Sequence, residues 1–239
     1  MTRVILLFLL VSLGSSSIAQ VSIGNRGGVS MFKTGFSGGD DDDRLNDLRK
    51  NSLSTIGISI ALPIEMMLTD HFGLQPEIGY TMKGKSYEGL QQSSRTTKLN
   101  YLDFTLLAKG RIGPGKFQGE VMLGPGIAAG ITVREITRGS YWYPFSNSTA
   151  DFADTFLTRT ELFLTGGAGF SFAFGAPRIF INYRYVYGIT NIYDESIPFV
   201  DINGELISRV KEYNRGSIIS LGFLVPLSKS AWVPAEISN

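Results

Sequence analysis

Few residues in this 239-residue chain have the type and spacing to do chemistry. The single histidine, His71, stands beside Asp70, and a His-Asp pair near a serine is the arrangement that activates a hydroxyl nucleophile for acyl transfer. Here the pair occupies a short polar break between two apolar runs, where an Asx-type turn at Asp70 explains it. No nucleophile is spaced to join it, and no catalytic residue is assigned. The run Gly38-Gly39-Asp40-Asp41-Asp42-Asp43 offers the carboxylate oxygens that hard cations take, but it lacks the spaced acidic loop with a distal Glu. It reads as a solvated loop, and neither a metal nor a cofactor is expected. With no cysteine there is no thiolate chemistry, no disulfide and no lipid-anchor thiol. Lys and Arg number 22 against 21 Asp and Glu, so no nucleic-acid footprint is expected.

The remaining charges of interest recur at alternate positions of otherwise apolar or small-residue stretches: Glu65, Glu77, Asp103, Lys109, Glu120 and Arg184, with Lys83, Lys85, Arg134, Arg159 and Glu161 further along the same stretches. Alternation of period two places successive side chains on opposite faces of a strand. Ile56 to Leu68 put seven apolar residues on one face, against Thr55, Gly57, Ser59, Ala61 and Glu65. Phe72, Leu74, Ile78, Tyr80 and Met82 oppose Gln75, Glu77, Thr81, Lys83 and Lys85. Similar stretches run over 102–109, 120–134, 159–174, 179–189 and 219–227, and a weaker one over 21–32 brings the count to eight. Among the residues assigned to the apolar face is Val133, and among those assigned to the polar face is Arg134.

Alternation alone fits either a soluble barrel with its apolar face inward or a membrane barrel with that face on lipid. The polar face here is mostly Gly, Ala, Ser and Thr with a few charges, which suits a narrow lumen better than a solvated surface. Connections alternate strictly: 69–71, 113–116 and 175–177 are short, while 33–52, 86–98, 137–155 and 191–213 are long, the pattern of periplasmic turns and external loops. Arg3, the apolar run Val4 to Leu13 and Ser17-Ile18-Ala19 read as a cleaved export signal, too short to span a bilayer. The expected organisation is a signal peptide over 1–19, one all-β, eight-stranded antiparallel up-and-down transmembrane barrel over 20–228, and a tail over 229–239. Pro63, Pro76, Pro125 and Pro226 fall inside the strands, where a missing ladder N–H predicts bulges or strand ends.

The stretch from Leu68 to Tyr80 with Lys83-Gly84, then Tyr101-Leu102 with Leu106-Leu107 and Lys109, Gly124-Pro125-Gly126, Tyr183-Arg184-Tyr185 with Gly188 to Ile192, and Asn214-Arg215 resembles the small outer-membrane β-barrel family of Bacteroidota, labelled PorT-like or porin family. The resemblance covers almost the whole mature chain and implies fold and an outer-membrane location in a Gram-negative envelope. The label "porin" does not itself demonstrate a pore. The tail from Ser228 to Asn239 departs from the common barrel ending on an aromatic residue.

In a narrow interior, opposite charges pair, because an unpaired buried charge is expensive. Glu77, Asp103, Glu120 and Arg184 are therefore expected to form one luminal charge network at comparable heights. The five-residue segment Tyr141-Trp142-Tyr143-Pro144-Phe145 spends four aromatics in one loop, and Tyr141, Trp142, Tyr143 and Phe145 are read either as a contact surface or as packing over the barrel mouth. The expected role is structural or interactive, through the external loops and without enzymatic activity. Its partners would be outer-membrane lipid and lipopolysaccharide together with an envelope or extracellular protein. The alternatives are a small-solute or ion pore and, behind it, a lipid-modifying barrel enzyme or a soluble lipocalin-like binder.

Overall fold

A computed structural model describes residues 20–37, 52–88, 94–113, 115–138, 145–152, 155, 157–193 and 211–227. The signal, the Asp40–Asp43 run, Tyr141, Trp142, Tyr143 and the tail lie outside these residues. Nine strands follow in order: β1 (Gln20–Ser37), β2 (Ser52–Met67), β3 (Phe72–Glu88), β4 (Ser94–Ile112), β5 (Phe117–Arg138), β6 (Ser146–Asp151), β7 (Thr160–Ala173), β8 (Arg178–Gly188) and β9 (Lys211–Pro226). All neighbours pair antiparallel, and every strand except β6 belongs to a closed ring in which β1 meets both β2 and β9 while β5 meets both β4 and β7. Closure leaves the eight ring strands no edge at the level of the apolar belt, so the backbone groups of a wall in lipid bond within the wall.

The faces decide what surrounds this ring. Ile56, Leu62 and Leu221 are 65%, 61% and 60% exposed, whereas Lys109, Glu77 and Arg184 are 1–2% exposed. Large apolar side chains form a belt around the outside and charges fill the inside, the inverse of a water-soluble barrel. Tyr183, Tyr185 and Tyr187 also point outward, as girdle aromatics do. The short turns at one end place Gly115 at φ 69° and Gly175 at φ 71°, the left-handed region that glycine enters without a Cβ penalty. Below, this is the turn end and its opposite the loop end. In the turn after β2, the side chain that organises the backbone is Thr69, whose Oγ1 accepts from the N–H of His71 and of Phe72 at 3.3 and 3.0 Å. The expected role of Asp70 thus falls to its neighbour.

Three further features differ from expectation. The strands run past the membrane belt into the presumed loops, because strand pairing there is carried by polar residues such as Ser86, Thr96 and Thr137 that give no apolar alternation. The short β6 folds back on β5, pairing Thr132 with Asp151 through Thr137 with Ser146, above the point where β7 leaves β5 at Ala129. It thereby covers an edge that β5 would otherwise expose. Finally, Pro226 ends β9 as expected, but beside Pro63, Pro76 and Pro125 the ladder opens on one side and resumes in the same register. The register shifts fall elsewhere, between Ser54 and Ser59 and at Asn100/Tyr101, where Ile131 is the extra residue of β5. A one-residue insertion reverses the faces beyond it. Val133 is consequently buried inside and Arg134 lies exposed outside, the reverse of what unbroken alternation predicts. Arg159, just before β7, is exposed as well.

Candidate functional site

Inward positions on all eight ring strands stack into layers. Nearest the turn end, Lys109 of β4 reaches Glu65 of β2 and Glu120 of β5, each at 2.8 Å. Arg111 hydrogen-bonds Glu65 and lies 3.8 Å from Glu120, and Arg178 approaches Glu65 at 3.3 Å. The Phe180 ring lies 5.6 Å from the Lys109 ammonium, and Leu107 and Leu224 are buried inside the barrel as well. The charges are tolerable there because each carboxylate has at least two cations.

The next layer centres on Glu77. Arg184 donates to both its oxygens, at 2.7 and 2.8 Å, Arg26 donates to Oε2 at 3.0 Å, and the Gln75 amide donates to Oε1 at 2.6 Å. Arg26 continues to Ser59 Oγ, Ser59 to Thr81, and Thr81 donates to Asp103 at 2.8 Å. Glu77, Asp103 and Arg184 are therefore brought together. Glu120 is not: it belongs to the layer below, because Lys109 and Arg111 lie beside it on the paired strand β4. A cavity of about 20 Å³, room for roughly one water, is bordered by Arg184, Thr165, Lys83 and Asp103.

Above the second layer the interior turns apolar. Phe32, Leu99, Tyr101, Ala128, Val133, Phe152, Phe163, Val186, Ile192 and Ile218 form one buried cluster. Lys83 crosses it, pairing with Glu161 at 3.0 Å while its ammonium faces the rings of Phe163 and Tyr101 at 4.6 and 4.8 Å. Asn214 donates to Glu161 at 2.8 Å. Phe152 comes from beyond β6 and Ile192 from beyond β8, so residues outside the ring strands close the lumen from the loop end.

Over that closure opens a vestibule of about 390 Å³, lined by Lys85, Tyr87, Arg95, Thr97, Val133, Glu135, Thr155, Leu157 and Tyr193. Lys85 lies three residues beyond Met82, the last apolar residue on the outer face of β3, and so stands above the belt. Its ammonium meets Glu212 at 2.5 Å and Tyr193 OH at 2.9 Å. Burial opposes the charged form of Lys85, but Glu212, followed by Tyr193 and Tyr87, outweighs it and raises the pKa. Arg95 pairs with Glu135 at 2.6 Å, and the hydrogen bond to that carboxylate raises its pKa. Aromatic faces, fixed hydroxyls and charges already paired with one another can receive a polar ligand segment without stranding an ion.

Of the loop aromatics, Phe145 is described, and it stands 63% exposed directly before β6. His71 is exposed in the turn after β2, at the opposite end from the vestibule. Among the described residues no group of three His, Cys, Asp or Glu could hold a metal. Sequence reading passed over Arg26, Arg111, Arg178 and Glu212. Arg26 was legible in phase with Ser22, Ser30 and Phe32, but the outward Asn25 and Gly27 blur the alternation of β1.

The sequence profile of the outer membrane protein beta-barrel domain family matches residues 15–194. No curated protein matches the chain in sequence. Among solved structures, Neisserial surface protein A is similar at 17% identity and TM-score 0.42, over 85% of this chain and 96% of that one. The attachment invasion locus protein Ail of Yersinia pestis is similar at 14% identity and TM-score 0.38, over 87% and 99%. The outer membrane protease OmpT from Escherichia coli is similar at 10% identity and TM-score 0.43, over 88% and 97%. At these identities none of the three bears on what this chain does.

Proposed function

This chain belongs to the outer membrane protein beta-barrel domain family and resides in the outer membrane, and from that premise we propose that it is a closed, non-enzymatic barrel whose role is recognition at its loop end. The observation that carries this reading is the filling of the lumen. Two ion-paired layers and an apolar cluster lie in series between the turn end and the vestibule, and the cavity between them has room for roughly one water. A permeant solute would have to break buried ion pairs at two levels. The vestibule, by contrast, faces the exterior and combines aromatic and hydrogen-bonding groups. With it we group the exposed Phe145 and its sequence neighbours Tyr141, Trp142 and Tyr143 as one recognition surface for an envelope or extracellular protein.

Conductance of the purified chain in a planar bilayer tests the reading. The expected record is flat, and stepwise openings in the wild type would favour the pore instead. The narrower kinship with Bacteroidota PorT-like barrels rests on the motifs from Leu68 to Tyr80 and from Tyr183 to Ile192.

A further inference from the structure

Inside the barrel each buried cation described above has a carboxylate, yet on the outer wall at the loop end cations are placed against cations. Lys33 of β1 is the direct register partner of Arg215 of β9. Both face outward, since Phe32, Thr34, Asn214 and Gly216 on either side of them point in. On the far side, Lys98 of β4 is the register partner of Arg134 of β5, again both outward, opposite the inward pair Leu99 and Val133. Like charges directly opposite one another in a sheet are destabilising. Among the described residues no carboxylate pairs with any of the four. Arg215 is held by Tyr187, stacked 4.3 Å from the ring and donating to its hydroxyl at 2.9 Å, and Arg134 by the neutral amide of Asn147 at 3.0 Å.

Their height is specific. Tyr187 closes the outward tyrosine series of β8 and Ile131, the last exposed apolar residue of β5, precedes Arg134 by three positions, so the two cation pairs stand at and just above the rim of the apolar belt. Aromatic girdles mark the headgroup level of a membrane. Two cation pairs there, neither matched by a carboxylate among the described residues and both continuous with an acyl-chain surface below, are complementary to lipid that carries phosphate. We propose that the Lys33/Arg215 and Lys98/Arg134 pairs bind the phosphate groups of outer-leaflet lipid, each pair gripping phosphate oxygens while the belt takes the acyl chains.

The test is thermal unfolding of the full chain in neutral detergent, with lipid A bisphosphate, its dephosphorylated counterpart or inorganic phosphate added. Wild type should be stabilised by the bisphosphate, less by the dephosphorylated lipid, and the gain should shrink with added salt. Lys33→Gln should raise the melting temperature in detergent alone, by relieving the repulsion, and reduce the lipid-induced gain. Lys33→Gln/Arg215→Gln should raise the half-saturating lipid fraction roughly tenfold or more, against no change for Lys116→Gln at the turn end. If that double variant does not fold, Lys98→Gln/Arg134→Gln carries the same comparison. Equal stabilisation by both lipids, an equal shift with inorganic phosphate, or unchanged half-saturation in the folded double variants overturns the proposal.

Discussion

Arg184 of β8 meets Glu77 of β3 end-on across the lumen, Nη1 to Oε2 at 2.7 Å and Nη2 to Oε1 at 2.8 Å, joining residues 107 positions apart in the chain. This fork engages both carboxylate oxygens, and Arg26 shares one of them at 3.0 Å. The sharing makes the two ends of the pair unequal. Arg184→Ala leaves Glu77 with Arg26 and should cost about 3 kcal/mol, the low end for a broken buried pair, whereas Glu77→Ala strands two guanidinium groups and should cost about 5 kcal/mol or more. Urea midpoints of refolded protein in detergent measure both. Equal costs would show that Arg26 does not take over the carboxylate when Arg184 is lost, and no cost in either variant would show that the layer does not hold the wall together.

The apolar closure makes its own prediction. A Cβ built at Gly130 would lie 2.5 Å from the ring of Phe152, so this ring rests directly on the glycine backbone. Gly130→Ala should displace Phe152 and cost about 1–3 kcal/mol, the usual range for overpacking. Phe152→Leu in the same chain should recover part of that loss. A double variant no more stable than the single one would mean that the ring is not what the methyl group meets.

The barrel was legible because the alternation of apolar and small or polar residues in β2, β3, β8 and β9 commits both faces over long stretches, and the three short turns set the direction. The pairing of Arg184 with Glu77 was also within reach, since both occupy inward phase. Other elements were hidden for physical reasons. The bulge at Ile131 carries no proline or glycine mark of its own, yet it decides that Val133 packs inside and Arg134 faces out. The assignment of Glu120 to its layer depends on which residues of β4 stand opposite it, and register across a barrel is not written in one strand. Strand ends beyond the belt pair through polar residues, so they look like loops. The apolar closure was missed because Tyr101 and Phe163 sit in the phase assigned to polar residues, and the weak alternation of β1 gave Phe32 no face at all.

Alkaline pH tests the Lys85–Glu212 contact above the belt. Its folded pKa is raised, so the stabilisation is fully present below the unfolded-state value of about 10.4 and is lost as pH rises from there through the folded value. The stability difference between wild type and Lys85→Met should therefore stay constant from about pH 7 to 10 and narrow above that range. A difference that narrows on acidification from pH 7 to 6 instead would place the sensitivity in another group.

The recognition surface yields the last prediction. Phe145 is largely exposed and directly precedes β6, whose six residues are all exposed, so neither contributes to the buried closure below. Replacing Tyr141, Trp142, Tyr143 and Phe145 with Ser should leave heat-modifiable migration of the barrel unchanged, because loop tips add little to the stability of a closed wall. Large aromatics supply contact area at low entropic cost, so the same variant should lose a partner that the wild type retains on intact cells. Tyr87→Ala, which opens the vestibule and leaves the loop sequence as it is, separates two versions of the idea. If it too abolishes capture, the partner inserts a segment into the vestibule. If capture survives, contact is confined to the loop. A loop variant that binds normally, or that fails to fold, removes the aromatic segment from recognition and makes it packing over the barrel mouth.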